Sequence, residues 1–186
     1  MTEIIPPPPG KPAPDPINGP PWYLVAYKEQ GQREVAGVGI NPRIQTYYTA
    51  TDLGRVNDDA VPWCSAFANW CMKQAGYKGT NKANARSWLY WGVPLIQPRL
   101  GAVVVFSRPP NEASGHVSFY CGEVARKSGN NDLLVLGGNQ GDQVCATAYA
   151  KARLLGFRWP GPKESPKPVA PEPIGIGAPP PLKPKK

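Results

Sequence analysis

The sequence predicts an α+β fold in which N-terminal helices pack on a mainly antiparallel sheet of about five strands. Three observations carry that expectation. Helical patterns punctuated by prolines and glycines fill residues 21–92, β-branched runs fill 101–159, and proline-rich flanks without apolar periodicity enclose both.

The flanks bound the domain. Of the 25 prolines, eight lie in residues 1–20 and nine in 161–186, so both ends are expected to be disordered, polyproline-like arms around a folded domain spanning 21–160. With 41% hydrophobic residues in a chain of 186, that domain holds one core. The stretch Pro179-Pro180-Pro181-Leu182-Lys183-Pro184 reads either as passive linker or as a ligand for an aromatic groove.

The first helical pattern, Trp22, Leu24, Val25, Tyr27 and Val35, is irregular and is expected to end near Gly37 or Gly39. Asn41-Pro42 starts a second short helix carrying Ile44, Tyr47 and Tyr48. Between them Glu34 reads as a solvated carboxylate or a partner of Arg33 or Arg43. A third helix is expected from Pro62, with Val61 as cap, to Gly76, where glycine suits a left-handed terminus. Asp58 and Asp59 ahead of it suit a turn, with orientation of a site or binding of a cation as the alternative. Ala85 to Trp91 forms a fourth, short helix; its Trp88, Tyr90 and Trp91 suit core packing or, if exposed, a platform for sugar rings.

Strands follow. Gly101 to Phe106 is continuously apolar and reads as buried, His116 to Cys121 alternates, and Leu133 to Leu136 completes a hairpin through the Gly129-Asn130-Asn131-Asp132 turn. After the Gly137-to-Gly141 turn, Val144 to Tyr149 and Leu154 to Trp159 supply the last two.

The chemistry gathers on three residues. Cys64 falls in the first turn of the third helix, where unpaired N–H groups and the positive end of the helix dipole favour a thiolate. The sole histidine, His116, opens the second strand and suits a general base, since imidazole titrates near neutrality. Asn139, ending the neighbouring strand, is placed to orient the imidazole. Each has a plainer reading, as buried thiol, structural histidine and turn residue respectively. Together, in this chain order, they meet the requirements of a papain-like cysteine hydrolase. Cys71, Cys121 and Cys145 read as reduced and buried; Cys64 and Cys71, seven helical residues apart, are separated by about 10 Å, too far for a disulfide.

The segments Pro62-Trp63-Cys64-Ser65-Ala66-Phe67, Asn69-Trp70-Cys71, Ala85-Arg86-Ser87-Trp88, Gly101 to Phe106, Gly115 to Tyr120 and Leu136-Gly137-Gly138-Asn139-Gln140 resemble the CHAP and NlpC/P60 superfamily of peptidoglycan amidohydrolases, across about residues 21–160. The resemblance implies a papain-like fold with Cys64 as nucleophile, His116 as base and Asn139 as the orienting residue. Many CHAP domains also bear a glutamate at the position of Gly137, so here the third role rests on Asn139. The acidic cluster of calcium-binding members is represented only by Asp58 and Asp59, and no metal or organic cofactor is expected.

These expectations converge on a peptidoglycan hydrolase, either an N-acetylmuramoyl-L-alanine amidase or an endopeptidase, of the phage or prophage endolysin type. A virion lysin, a secretion-delivered wall-degrading toxin, a non-catalytic wall-binding module and a cysteine protease acting on proteins remain as alternatives. The net charge of +8, of which +6 falls in 21–160, suits an anionic wall polymer; without an RNA-binding aromatic signature, zinc-finger spacing or arginine cluster, nucleic acid is not expected. The N-terminus lacks the basic start and apolar run of a secretory signal, and no stretch is long and apolar enough for membrane insertion. Synthesis in the cytoplasm as a monomer, with holin-dependent release or delivery by a secretion machine to the wall, is the matching expectation.

Overall fold

The computed structural model describes residues 13, 18–35, 39–58, 61–126 and 131–161. The arms expected at 1–20 and 161–186 lie outside these residues, apart from Ala13, residues 18–20 and Gly161. Ala13 is itself buried, and its amide donates to Gln30 Oε1 at 2.8 Å, so packing reaches N-terminal of residue 21.

The architecture is α+β and papain-like. Helices α1 (Pro21–Lys28), α2 (Pro42–Tyr48) and α3 (Cys64–Gln74) come first, followed by a 3-10 turn at Ala85–Tyr90. Strands β1 (Val93–Leu95), β2 (Val103–Ser107), β3 (Gly115–Val124), β4 (Asp132–Gly137), β5 (Cys145–Tyr149) and β6 (Leu154–Trp159) form one sheet in the order β1-β6-β2-β3-β4-β5. Every pairing is antiparallel.

The sheet has one strand more than expected. Val93-Pro94-Leu95 hides from a pattern search because it is three residues long with a central proline; it pairs only with β6, at the edge, where proline's missing N–H costs no ladder bond. The central strand β2 explains the uninterrupted apolar run. Val103 and Val105 enter the core beneath the helices, whereas Val104 and Phe106 join Leu133, Val135 and Phe157 on the opposite face.

Helix α1 is shorter than its pattern suggested. Gly31, at φ 88°, turns the chain, and residues 31–34 leave the helix to pair with the loop after β4. Gly31 N donates to Val144 O at 2.9 Å, Val144 N to Gln32 O at 2.8 Å, and Glu34 N to Asp142 O at 2.9 Å. Helix α2 starts as expected, Asn41 Oδ1 accepting from Arg43 N at 2.8 Å with proline following. Glu29 joins the two helices: its carboxylate takes Arg43 Nε at 2.8 Å, Arg43 Nη2 at 2.6 Å and the Tyr47 hydroxyl at 2.6 Å.

Helix α3 is the core of the helical layer, with every residue from Cys64 to Met72 buried. It begins with Trp63 as cap and Cys64 as first helical residue, two positions after the expected Val61 cap. Gly76, at φ 75°, ends it as expected.

Candidate active site

Trp63 fixes the start of α3. It is fully buried, packs edge-on against Phe67 at 6.4 Å and tilted against Tyr47 at 5.8 Å, and donates its indole N–H to Glu34 Oε1 at 2.7 Å. Glu34, expected to be solvated or paired with arginine, thus anchors the residue before Cys64. The following turn is tied down by polar bonds: Ser65 Oγ donates to Lys82 O at 2.7 Å and accepts from Trp88 Nε1 at 2.9 Å. Asn69 adds Nδ2 to Ser65 O at 2.9 Å and accepts Asn81 N at 2.8 Å on Oδ1. Such satisfied buried groups rigidify the loop 79–85, which forms one wall of the site. Trp88 therefore belongs to the core, while Tyr90 is 90% exposed.

Cys64 opens into a cavity of about 150 Å3 whose walls are Pro62, residues 83–85, Arg108 and residues 113–115. The thiol lies against the backbone N–H of Val117, one residue beyond His116 on β3, and against those of Ser65 and Cys64 itself. Burial pushes the thiol above its ordinary value, outweighing the N–H groups and the Arg108 charge that favour a thiolate.

His116 is buried, and its ring stacks on Tyr149 with centroids 5.0 Å apart and planes at 14°. Phe106, its cross-strand neighbour, stacks on the same tyrosine at 4.7 Å. Burial lowers the imidazole to about 4; the Gln140 hydrogen bond opposes this, and the Arg108 and Arg153 charges add to it. At rest the thiol and the imidazole are therefore both neutral.

The hydrogen bond expected from Asn139 is made by its neighbour. His116 Nε2 lies 2.9 Å from Gln140 Oε1. The amide of Gln140 is fixed by donation from its Nε2 to Cys145 O at 2.5 Å and Val135 O at 3.4 Å, both groups that only accept. Its oxygen must face the ring, so His116 carries a proton on Nε2, and Nδ1 keeps its lone pair with no hydrogen bond among the described residues.

The backbone explains the one-residue displacement. Asn139 is left-handed, at φ 56°, in a half-buried turn, and its side chain makes no hydrogen bond among the described residues. Gly138 presses on the start of α3, where a Cβ would stand 2.5 Å from Trp63 Cζ3 and 2.8 Å from Phe67 Cβ. At Gly137 a Cβ would meet Ser118 Cβ at 2.7 Å and Gln140 Oε1 at 3.1 Å. The space beside the position where many CHAP domains place glutamate is thus taken by the Gln140 amide.

All four cysteines are free and buried. Asp58 is exposed, and Asp59 lies outside the described residues. Among the described residues no three or more His, Cys, Asp or Glu side chains gather as a metal site, and no helix is long and apolar enough to cross a membrane. Sequence reading also missed Tyr149, visible only as one aromatic in a strand, and Arg108, which stood in a loop.

A helix-start cysteine set against a histidine-bearing antiparallel strand, with an amide holding the imidazole, is the arrangement of a papain-like cysteine hydrolase. Residues 56–139 match the family model of the CHAP domain, a match consistent with a member of the CHAP and NlpC/P60 superfamily. The match includes Cys64, His116 and Asn139 and stops one residue short of Gln140. CHAP domains are generally hydrolases of the amidase or peptidase kind. No curated protein and no solved structure gives a significant match.

Proposed function

We propose that this domain is a peptidoglycan hydrolase that cuts an amide bond of the wall peptide, as N-acetylmuramoyl-L-alanine amidase or endopeptidase, through a thioester on Cys64. The observation that carries the reading is the thiol at the start of α3, set against the backbone of Val117, the residue after His116, whose Nδ1 makes no hydrogen bond among the described residues.

His116 Nδ1 takes the Cys64 proton as sulfur attacks the amide carbonyl, a transfer coupled to bond formation because the resting pair is neutral. The backbone N–H groups of Cys64 and Ser65 face the developing oxyanion; loss of one such donor costs about 3–4 kcal/mol where this has been tested by mutation. The C–N bond breaks as the imidazolium protonates the departing amine. Water, deprotonated by the same nitrogen, then attacks the thioester and releases the acid. Gln140 holds the Nε2–H tautomer throughout, with Cys64, His116 and Gln140 as the working set and Asn139 as the turn residue that places Gln140.

The +6 charge of residues 21–160 favours adhesion to an anionic wall. The biological role that fits is a phage or prophage endolysin reaching the wall after release, with a delivered toxin as the alternative. The test is mass spectrometry of soluble fragments from purified peptidoglycan treated with wild type and with Cys64→Ala. Peptides with an intact N-terminal alanine establish the amidase, and shortened peptides the endopeptidase. No release from several wall types by folded protein rejects the proposal in favour of a binding module or a protein substrate.

A further inference from the structure

The cations around the Cys64 cavity differ in what occupies them. Arg86 Nε donates to Ser114 O at 2.8 Å, and Arg153 donates to Ser107 O from Nε at 3.0 Å and Nη2 at 2.8 Å, so both guanidinium groups brace cavity walls or their flanking strand. Lys82 pairs with Asp52 at 3.0 Å. Arg108, on the loop after β2, lines the cavity with Cys64, is exposed, and makes no hydrogen bond or ion pair among the described residues. Its charge reaches both the thiol and the imidazole.

That position works against the base, since a cation beside His116 opposes its protonation, and it stabilises no neighbour through pairing. A structural role does not account for it, whereas a ligand does. A guanidinium is matched in shape and charge to a carboxylate, which it binds through paired N–H donors. The groove adjoining the cavity, of about 490 Å3 and lined by Arg86, Ser107, residues 109–112 and Leu155, leaves room for chain on that side; Glu112 is its single acidic residue.

We propose that Arg108 is a specificity residue that binds a carboxylate carried by the substrate beside the scissile carbonyl, so that free-carboxylate substrates are selected over their amidated counterparts. The inference rests on Cys64 being the reacting group and deepens the hydrolase reading.

The experiment compares alkylation of Cys64 by iodoacetate and by iodoacetamide, located by peptide mass mapping, in wild type, Arg108→Gln and Arg108→Lys. Both reagents consume the same thiolate, so their rate ratio cancels thiol ionisation and reports the attraction of a carboxylate. The ratio is expected to fall about fivefold in Arg108→Gln, the scale of an exposed charge pair, to be retained in Arg108→Lys, and to fall with salt in wild type. An equal ratio in wild type and Arg108→Gln overturns the inference. In a second arm, Arg108→Gln raises KM for wall peptides with the free carboxylate and leaves amidated ones unchanged; equal effects on both overturn it too. A fallen ratio with no wall cleavage by wild type sinks the wall-hydrolase reading and leaves the carboxylate site standing.

Discussion

His116 Nε2 donates to Gln140 Oε1 at 2.9 Å, and this bond leaves Nδ1 as the imidazole nitrogen with a lone pair, the one that serves as base in the proposed reaction. Gln140→Ala leaves the ring unoriented, and kcat falls by about 10^2-fold, the scale of a misplaced catalytic group. Gln140→Glu keeps the acceptor but adds a negative charge, which favours imidazolium. Because the base works when neutral, a higher imidazole pKa moves the acid limb of kcat/KM to higher pH. A pH–rate profile for the two variants checks both outcomes, and an unshifted limb in Gln140→Glu rejects the assignment.

Stability follows the same group. With the folded-state imidazole lowered to about 4 by burial, the unfolded chain binds the proton more readily than the folded one. The stability tied to neutral His116 is complete above about pH 6.5 and is lost as pH falls from there towards 4, by a few kcal/mol. Urea titrations of wild type and His116→Gln at pH 7 and pH 4.5 isolate this share from that of the carboxylates. A smaller loss on acidification in the variant is the expected result.

The raised Cys64 thiol makes a separate statement about reactivity. Iodoacetamide labelling of the free enzyme is expected to climb steadily from pH 6 to pH 10, following thiolate formed at high pH. A rate already flat from about pH 5 would mean a resting thiolate–imidazolium pair instead. Stopped labelling with mass mapping distinguishes them.

Glu34 and Trp63, 29 positions apart, hold the start of the Cys64 helix. Removing the acceptor in Glu34→Ala leaves a buried indole N–H unpaired and costs about 1–3 kcal/mol. In Trp63→Phe the donor goes as well, so the two changes are less than additive when combined. A thermodynamic cycle by urea denaturation measures the coupling, and strict additivity contradicts it.

Much of this was legible in the chain, and the exceptions share a cause. Pro62-Trp63-Cys64 announced a helix start, the run from Gly101 to Phe106 a buried strand, and Gly115-His116 the strand carrying the sole histidine. Each is a local pattern. The orienting residue depended on a left-handed turn at Asn139 and on two glycines pressed against α3 and β3, which no periodicity reports. Glu34 was invisible because its strand-like pairing is with residues 142–144, far along the chain. The early end of α1 has the same origin, since those pairing bonds draw residues 31–34 out of the helix.

The most direct measurement is intact-protein mass spectrometry of wild type and Cys64→Ala, acid-quenched during turnover of wall peptide. An acyl adduct on wild type, mapped to Cys64, and none on the variant is the expected result, with turnover reduced by about 10^4-fold or more. Peptide release by Cys64→Ala at the wild-type rate, without any adduct on either protein, would contradict it.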